Sequence, residues 1–301
     1  MLMENYTGRK IAIFTDAHGL YEPTLAALQD MTEKGITEIY SLGDNIGVGP
    51  DSDKVIDLLN EYNVQSIAGN SEYYVSLGVE PFSDYFDYKK EMCHTWTLSK
   101  LNEKQKGIIT LMPHYIDLMV GGKKLALCHF ANDVRCDYDM HSTWTYQANL
   151  RNNEPAYEQF NYTNSPAQLK EIDWAINKFG AENPHMKGYL SAKQEPLFDR
   201  KKVEYYDAII QGHVHFKLYE NSGSTEYYTI RAVGMAYGND PVDTASYVIL
   251  NEKENGYDLE EILVKYNREQ MICSVVNCTS PDKTIWKFIN LTEEEYKSAK
   301  R

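Results

Sequence analysis

Five short polar clusters carry the chemistry open to this chain: Asp16-x-His18, Gly43-Asp44-Asn45, Gly69-Asn70-Ser71-Glu72, His129 and Gly212-His213-x-His215. Each directly follows a short apolar run. In α/β sheets ligands bind outside the carboxyl ends of the strands, so the clusters are expected to converge in one crevice. Taken singly, each has a plainer reading. An Asp after a strand is commonly a helix cap, Asn70 a turn residue, and a lone His a core group with its hydrogen bonds made. Two imidazoles two positions apart behind a glycine need a further reason, and five clusters in succession need a shared one. Oxygen donors at Asp16, Asp44 and Asn70 with imidazoles at His18, His129, His213 and His215 form a donor set for divalent metal, and its size suggests two ions. Mixed carboxylate, amide and imidazole ligation suits Mn(II), Fe, Zn or Ni, without choosing between them. The glycines ahead of Asp44, Asn70 and His213 are expected to let the backbone turn sharply as each strand ends.

The elements that must position these groups follow from pattern. Residues 10–15 read as a buried central strand that stops at Asp16. A helix is expected from about Pro23, with Leu25, Leu28 and Met31 on one face and Gly35 past its end. Residues 38–42 read as the second strand, followed by a helix carrying Val55, Ile56, Leu59 and Tyr62 with Asp51 or Ser52 as N-cap. Residues 64–68 read as the third strand, ending at Gly69. Two βαβ units in a row predict a parallel sheet with helices on its face. From about 80 to 113 the pattern is mainly helical, with a capping box at Asn102 and Gln105 and a stop at Pro113. Residues 115–120 and 123–129 predict a hairpin turning at Gly121-Gly122.

Residues 131–200 change character to polar, aromatic and loop-rich, around one helix capped by Ser165 and stopped by Gly180. They are expected to be an inserted, cap-like segment. Strands resume at 208–211, 227–233 and 246–250, and residues 251–301 are expected to form a charged, helical tail in two pieces. The whole chain, 1–301, reads as a single domain.

Composition bounds the partners. Lys+Arg 30 against Asp+Glu 44 leaves a net charge of −14, which argues against a nucleic acid polymer or an anionic membrane surface as partner. A phosphate-bearing small molecule is not excluded, since bound cations would supply positive charge that the count omits. There is no apolar run of membrane-spanning length, and the opening Met1-Leu-Met-Glu-Asn-Tyr6 lacks a signal-peptide pattern. Five cysteines without a CxxC pair suit reduced thiols, so the expected location is the cytoplasm. With 24 Tyr against 9 Phe, most phenols are expected in half-buried packing and a few against a substrate ring.

The order D-x-H, GD, GN, lone His, GHxH resembles the five-block signature of the calcineurin-like metallophosphoesterases, over roughly residues 9 to 250. Residues 42–50 (LGDNIGVGP), 96–101 (WTLSKL) and 111–113 (LMP) are similar to the compact bacterial phosphodiesterase branch. The resemblance implies an α/β fold: a four-layer αββα sandwich of two mixed sheets with the metal site at strand carboxyl ends. It implies that Asp16, His18 and His215 hold one ion, that Asn70, His129 and His213 hold the other, and that Asp44 bridges them. Asp44, Asn70 and His129 would be the residues most directly tied to catalysis, and a hydroxide shared by two ions the nucleophile. The implied reaction is hydrolysis of phosphodiester or phosphoanhydride bonds in a nucleotide-like small molecule. A phosphomonoesterase, or a non-catalytic scaffold of the same fold, stands as the alternative.

Three departures from the family pattern matter. Ser71 stands where many members carry a leaving-group His, with Glu72 keeping the acidic neighbour; this points to substrates with good leaving groups. The gap from His129 to His213 is long, and Tyr138, Trp144, Tyr146 and Tyr157 could stack on a base there while Arg135 or Arg151 grips phosphate. Residues 230–237 (IRAVGMAY) replace an Asn-Pro-Gly-Ser-like turn, with Arg231 as a possible phosphate contact besides its plainer reading as a surface ion pair. Ser71, Glu72, Arg135 and Arg231 are the candidate substrate-binding residues.

Overall fold

In β1 (Lys10–Phe14) every residue after the first is buried, which is what a central strand covered on both faces requires. Ile11 and Ile13 point to one side and Ala12 and Phe14 to the other, each into a separate apolar cluster. The computed structural model describes residues 8–77, 88–113, 115–129, 206–213, 215–221, 225–236, 240–281 and 283–300.

After β1 come α1 (Tyr21–Glu33), β2 (Glu38–Ser41), α2 (Ser52–Glu61), β3 (Gln65–Ser66) and α3 (Asn70–Leu77). Next are α4 (Tyr88–Lys100), α5 (Glu103–Thr110), β4 (Tyr115–Val120), β5 (Lys123–Cys128), β6 (Ala208–Gln211), β7 (Leu218–Asn221) and β8 (Glu226–Thr229). The chain continues through β9 (Thr244–Lys253), β10 (Gly256–Lys265), α6 (Arg268–Asn277), α7 (Ile285–Phe288) and α8 (Glu293–Ala299).

Two mixed five-stranded sheets result, ordered β10-β9-β1-β2-β3 and β4-β5-β6-β8-β7. β1, β2 and β3 run parallel, as do β5, β6 and β8. Ile11, Ile13 and Leu250 from the first sheet and Leu125, Leu127 and Ile210 from the second share one core, so the sheets face each other. Phe14, Ile39, Tyr247 and Ile249 pack instead against Leu28, Met31, Ile56 and Leu59 of α1 and α2. The expected α/β sandwich of two mixed sheets is therefore present, with helices covering the outer face of the first sheet. A helical layer over the other sheet is not found among the described residues. The cap-like segment 131–200 lies outside them entirely.

The capping box at Asn102 and Gln105 and the Gly121-Gly122 hairpin form as expected; both glycines have positive φ (55° and 75°), as a two-residue type I′ turn needs. Other boundaries differ for local reasons. α1 starts at Tyr21 rather than Pro23, because proline is tolerated anywhere in the first turn, where its missing N–H has no partner to lose. Asp51 is the N-cap of α2, but its carboxylate pairs with Lys54 at 2.6 Å instead of capping. β3 shrinks to two residues because the Ala68 N–H leaves the sheet to donate to the Pro113 carbonyl, 2.8 Å away.

The tail needs the largest correction. Residues 251–301 are not all helical: β9 and β10 form a ten-rung antiparallel hairpin, and helix begins only at Arg268. Its strand character shows in a period-2 pattern. Tyr257 and Leu259 face the inter-sheet core, Ile262 and Val264 the helix side. Gly256 (φ 113°) closes the turn. Among the described residues three helices then follow, where two were expected. Among the described residues, no helix is long and apolar enough to cross a membrane.

Candidate metal centre

The clusters sit just past β1, β2, β3, β5 and β6, and hydrogen bonds within and between the two sheets lock these ends together. His129 Nδ1 donates to the Leu42 carbonyl (2.8 Å), the His213 N–H to Asp16 Oδ2 (2.8 Å), and the Gly212 N–H to the His129 carbonyl (3.0 Å). Five of the seven candidate ligands hold left-handed backbone: Asp16 (φ 55°), His18 (45°), Asp44 (51°), His213 (72°) and His215 (69°). Such a conformation costs a non-glycine residue roughly 1–2 kcal/mol. It persists where surrounding bonds over-determine it, as functional sites often do. Here the Asp16 N–H is tied to the Gly43 carbonyl (3.0 Å) and the His18 N–H to the Asp44 carbonyl (2.8 Å).

Only one of the three flanking glycines plays the turning role expected of it. Gly43 has φ 88°. Gly69 and Gly212 do not have positive φ; they are glycine because the chain passes too close to its neighbours. A Cβ on Gly69 would lie 2.4 Å from both N and Oδ1 of Asp44, and one on Gly212 would lie 2.0 Å from Thr15 Oγ1 and 2.7 Å from Asp16 Oδ2. Gly212→Ala should therefore push the Asp16 carboxylate off its bond to the His213 N–H. We expect a loss of about 1–3 kcal/mol in chemical denaturation, the usual cost of overpacking, together with weaker ion uptake in a titration. A variant matching the parent on both measurements would refute this reading of Gly212.

The donors gather into two groups. In the first, Asp16 Oδ1 lies 3.4 Å from His215 Nε2 and 3.6 Å from His18 Nε2, and the two imidazole nitrogens are 3.1 Å apart. In the second, His129 Nε2 lies 2.9 Å from His213 Nδ1, 3.1 Å from Asn70 Oδ1 and 3.7 Å from Asp44 Oδ2. Asp44 Oδ2 is also 3.5 Å from His18 Nε2, so one carboxylate oxygen stands between the groups. Within Asp16/His18/His215, and within Asp44/His129/His213, the ligand atoms all lie within 4.8 Å of one another.

Imidazole nitrogens at such distances present lone pair to lone pair unless a proton or a cation lies between them. Asp16 Oδ1 is moreover fully buried with no hydrogen-bond donor among the described residues. A divalent cation satisfies both demands, and the residues fit one.

Electrostatics favours the ligating forms. Burial holds the His18 imidazole below its ordinary range and brings His213 down to about 3, so both stay neutral with a lone pair to give. Burial on its own would raise the Asp16 carboxyl, but the His215, His129 and His18 imidazoles outweigh it and keep the group ionised, well below the usual carboxylate range. His18 and His129 donate from Nδ1 to the Ile46 (3.2 Å) and Leu42 carbonyls, which fixes the tautomer and aims Nε2 into the site.

The candidate substrate contacts fare differently. Glu72 does not face a cleft: it is buried, and its two oxygens accept the N–H groups of Asp44 (2.9 Å), Asn45 (2.8 Å), Gly69 (2.8 Å) and Ile46 (3.4 Å). Burial, with Asp44 close by, pushes its carboxyl up to about 7. Glu72 thus positions the loop that carries Asp44. The sequence does contain the signal, because an acid three residues after Gly69 at a helix start can reach back to that N–H, the carboxylate half of a capping box. Ser71 is buried too, and its N–H donates to Asp44 Oδ1 (2.7 Å). Arg231 is held by Asp240 (2.9 Å) and by Glu261 of β10 (3.2 Å). Arg135, Arg151, Tyr138, Trp144, Tyr146 and Tyr157 lie outside the described residues. The carbonyls of Leu42 and Ile46 escape a reading by residue type, since backbone acceptors carry no signature in sequence.

Two facing mixed sheets with a buried donor set at their strand ends define an α/β protein with a candidate site for divalent cations. The family model for calcineurin-like phosphoesterases matches residues 9–217, and the chain belongs to that family. An uncharacterized protein of Methanocaldococcus jannaschii is 31% identical over 119 residues, which is 40% of this chain. That match spans 48% of the relative, about half its length. Among solved structures, a hypothetical protein of Pyrococcus horikoshii OT3 shares the fold at 14% identity and TM-score 0.54, with 96% of this chain and 97% of that one covered. A metallophosphoesterase of Sphaerobacter thermophilus aligns at 17% identity and TM-score 0.48, covering 97% and 98%.

Proposed function

We propose that this chain is a cytoplasmic phosphoesterase with two divalent ions, Mn(II) first among them, that hydrolyses phosphodiester or phosphoanhydride bonds of a nucleotide-like small molecule. The observation that carries the reading is the place of Asp44 Oδ2, within 3.7 Å of an imidazole from each donor group. Asp16, His18 and His215 would hold one ion, Asn70, His129 and His213 the other, and Asp44 would serve both. Such ions, when bound, activate water at neutral pH and neutralise charge on the phosphoryl oxygens.

The chain's own contribution is to keep the His18 and His213 imidazoles neutral and to hold Asp16 and Asp44 in place. With Ser71 buried at the position of the leaving-group imidazole, no side chain at that position can protonate a departing oxygen. Rates should therefore depend steeply on the leaving group, as the loss of a general acid is worth up to ~10²–10⁴-fold for poor ones. The test is a Mn(II) binding titration followed by turnover of bis-aryl phosphates of graded phenol acidity, with mono-aryl phosphates and dinucleoside polyphosphates alongside. Faster turnover of monoesters than of diesters would contradict the diester reading. Rates independent of phenol acidity would contradict the role given to Ser71.

A further inference from the structure

Residues beyond 217 lie outside the stretch matched by the family model, yet one of them reaches the donor set. Phe288, the last residue of α7, meets the His215 imidazole edge to face, with centroids 5.1 Å apart and planes at 85°. His18 and His129 are each oriented by a carbonyl at Nδ1. His215 is different. Among the described residues no acceptor meets its Nδ1; its ring is set by Phe288, by a T-shaped contact with His18 (5.0 Å) and by Asp16.

We propose that Phe288 is a positioning residue for His215, its ring doing for this imidazole what a backbone carbonyl does for His18 and His129. The proposal rests on the reading that Asp16, His18 and His215 take a divalent ion. The ring is well held for the task. The Ala236 N–H donates to the Phe288 carbonyl (3.1 Å), and the Ala232 N–H donates to the carbonyl of His215 (3.3 Å), so one short segment ties both partners. Ile285 and Ile289 flank the ring in a third apolar core with Leu20, Met235 and Met271. The Arg268 guanidinium donates to the carbonyls of Ile289 (2.9 Å) and Asn290 (3.3 Å) and pairs with Glu295 (2.8 Å), which clamps the segment onto the body. A ligand held by locked neighbours loses little freedom when the ion binds, whereas a loose one must be ordered.

The experiment titrates Mn(II) calorimetrically into the full chain, Phe288→Ala, Phe288→Tyr and, as a control on α7 docking, Trp286→Ala. Removing an outer partner of a ligating His lowers metal affinity by roughly 10–100-fold. We expect Phe288→Ala to weaken one of two binding events by that order and leave the other, Phe288→Tyr to recover the parent affinity, and Trp286→Ala to lower only the melting temperature. Unchanged affinities in Phe288→Ala, an equal loss at both events, or the same loss in Trp286→Ala would each overturn the proposal. A parent chain that takes up no ion would overturn the metal reading itself, and this proposal with it.

Discussion

Asp44→Asn should reduce phosphoester turnover by at least ~10²–10³-fold while leaving the chain folded. The side chain stands between the two donor groups, with Oδ2 3.5 Å from His18 Nε2 and 3.7 Å from His129 Nε2, and Oδ1 accepting the Ser71 N–H. Asparagine keeps the shape and the bond to Ser71 but removes the one charge facing both groups. Metal ions contribute several kcal/mol of transition-state stabilisation, and each ~1.4 kcal/mol is a factor of ten, so losing a ligand proposed to serve both ions has this scale. Metal content per chain should fall in parallel, by one ion or more, while the denaturation midpoint of the metal-free chain moves little. A variant that retained two ions and turned over within tenfold of the parent would remove Asp44 from the bridging role.

The second large effect concerns stability. Glu72→Ala should leave the metal-free chain barely folded. The carboxylate accepts N–H groups from Asp44, Asn45 and Gly69 at 2.8–2.9 Å, all in a buried setting where water cannot replace it. Each orphaned donor costs ~1–3 kcal/mol. Three of them add ~3–9 kcal/mol by the same measure, against a typical total stability of ~5–15 kcal/mol. Glu72→Gln keeps the volume but turns an amide NH₂ toward some of those N–H groups, so a smaller loss is expected. Saturating Mn(II) should restore part of it, since an ion that binds only the folded state stabilises that state. Denaturant titration with and without the ion measures both. If Glu72→Ala cost under ~1 kcal/mol, the clamp would be refuted.

Stretches with their own periodicity or turn chemistry were legible from sequence, as β1, the Asn102 capping box and the Gly121-Gly122 hairpin show. β10 was not, because Asp258, Glu260, Glu261 and Lys265 in so short a stretch also suit an exposed helix. Tyr257 and Leu259 settle the matter only by having a second sheet to pack against. Gly69 and Gly212 look like turn formers in a linear reading. The structure assigns them to close approach, since what excludes a side chain is Asp44 in one case and Thr15 in the other, the latter far away in the chain.

By itself, then, the sequence determined which atoms are available for chemistry. Ligation depends on side-chain type, and the position of those side chains after apolar runs places them at strand ends. The tertiary structure alone decided which atoms meet: the carboxylate of Asp44 between two imidazole groups, Glu72 turned inward to hold a loop instead of outward to a substrate, and Phe288 brought from the far end of the chain against His215. These are contacts between residues tens of positions apart. Their energies come from burial and hydrogen-bond closure in three dimensions, and no local window of residues carries that information.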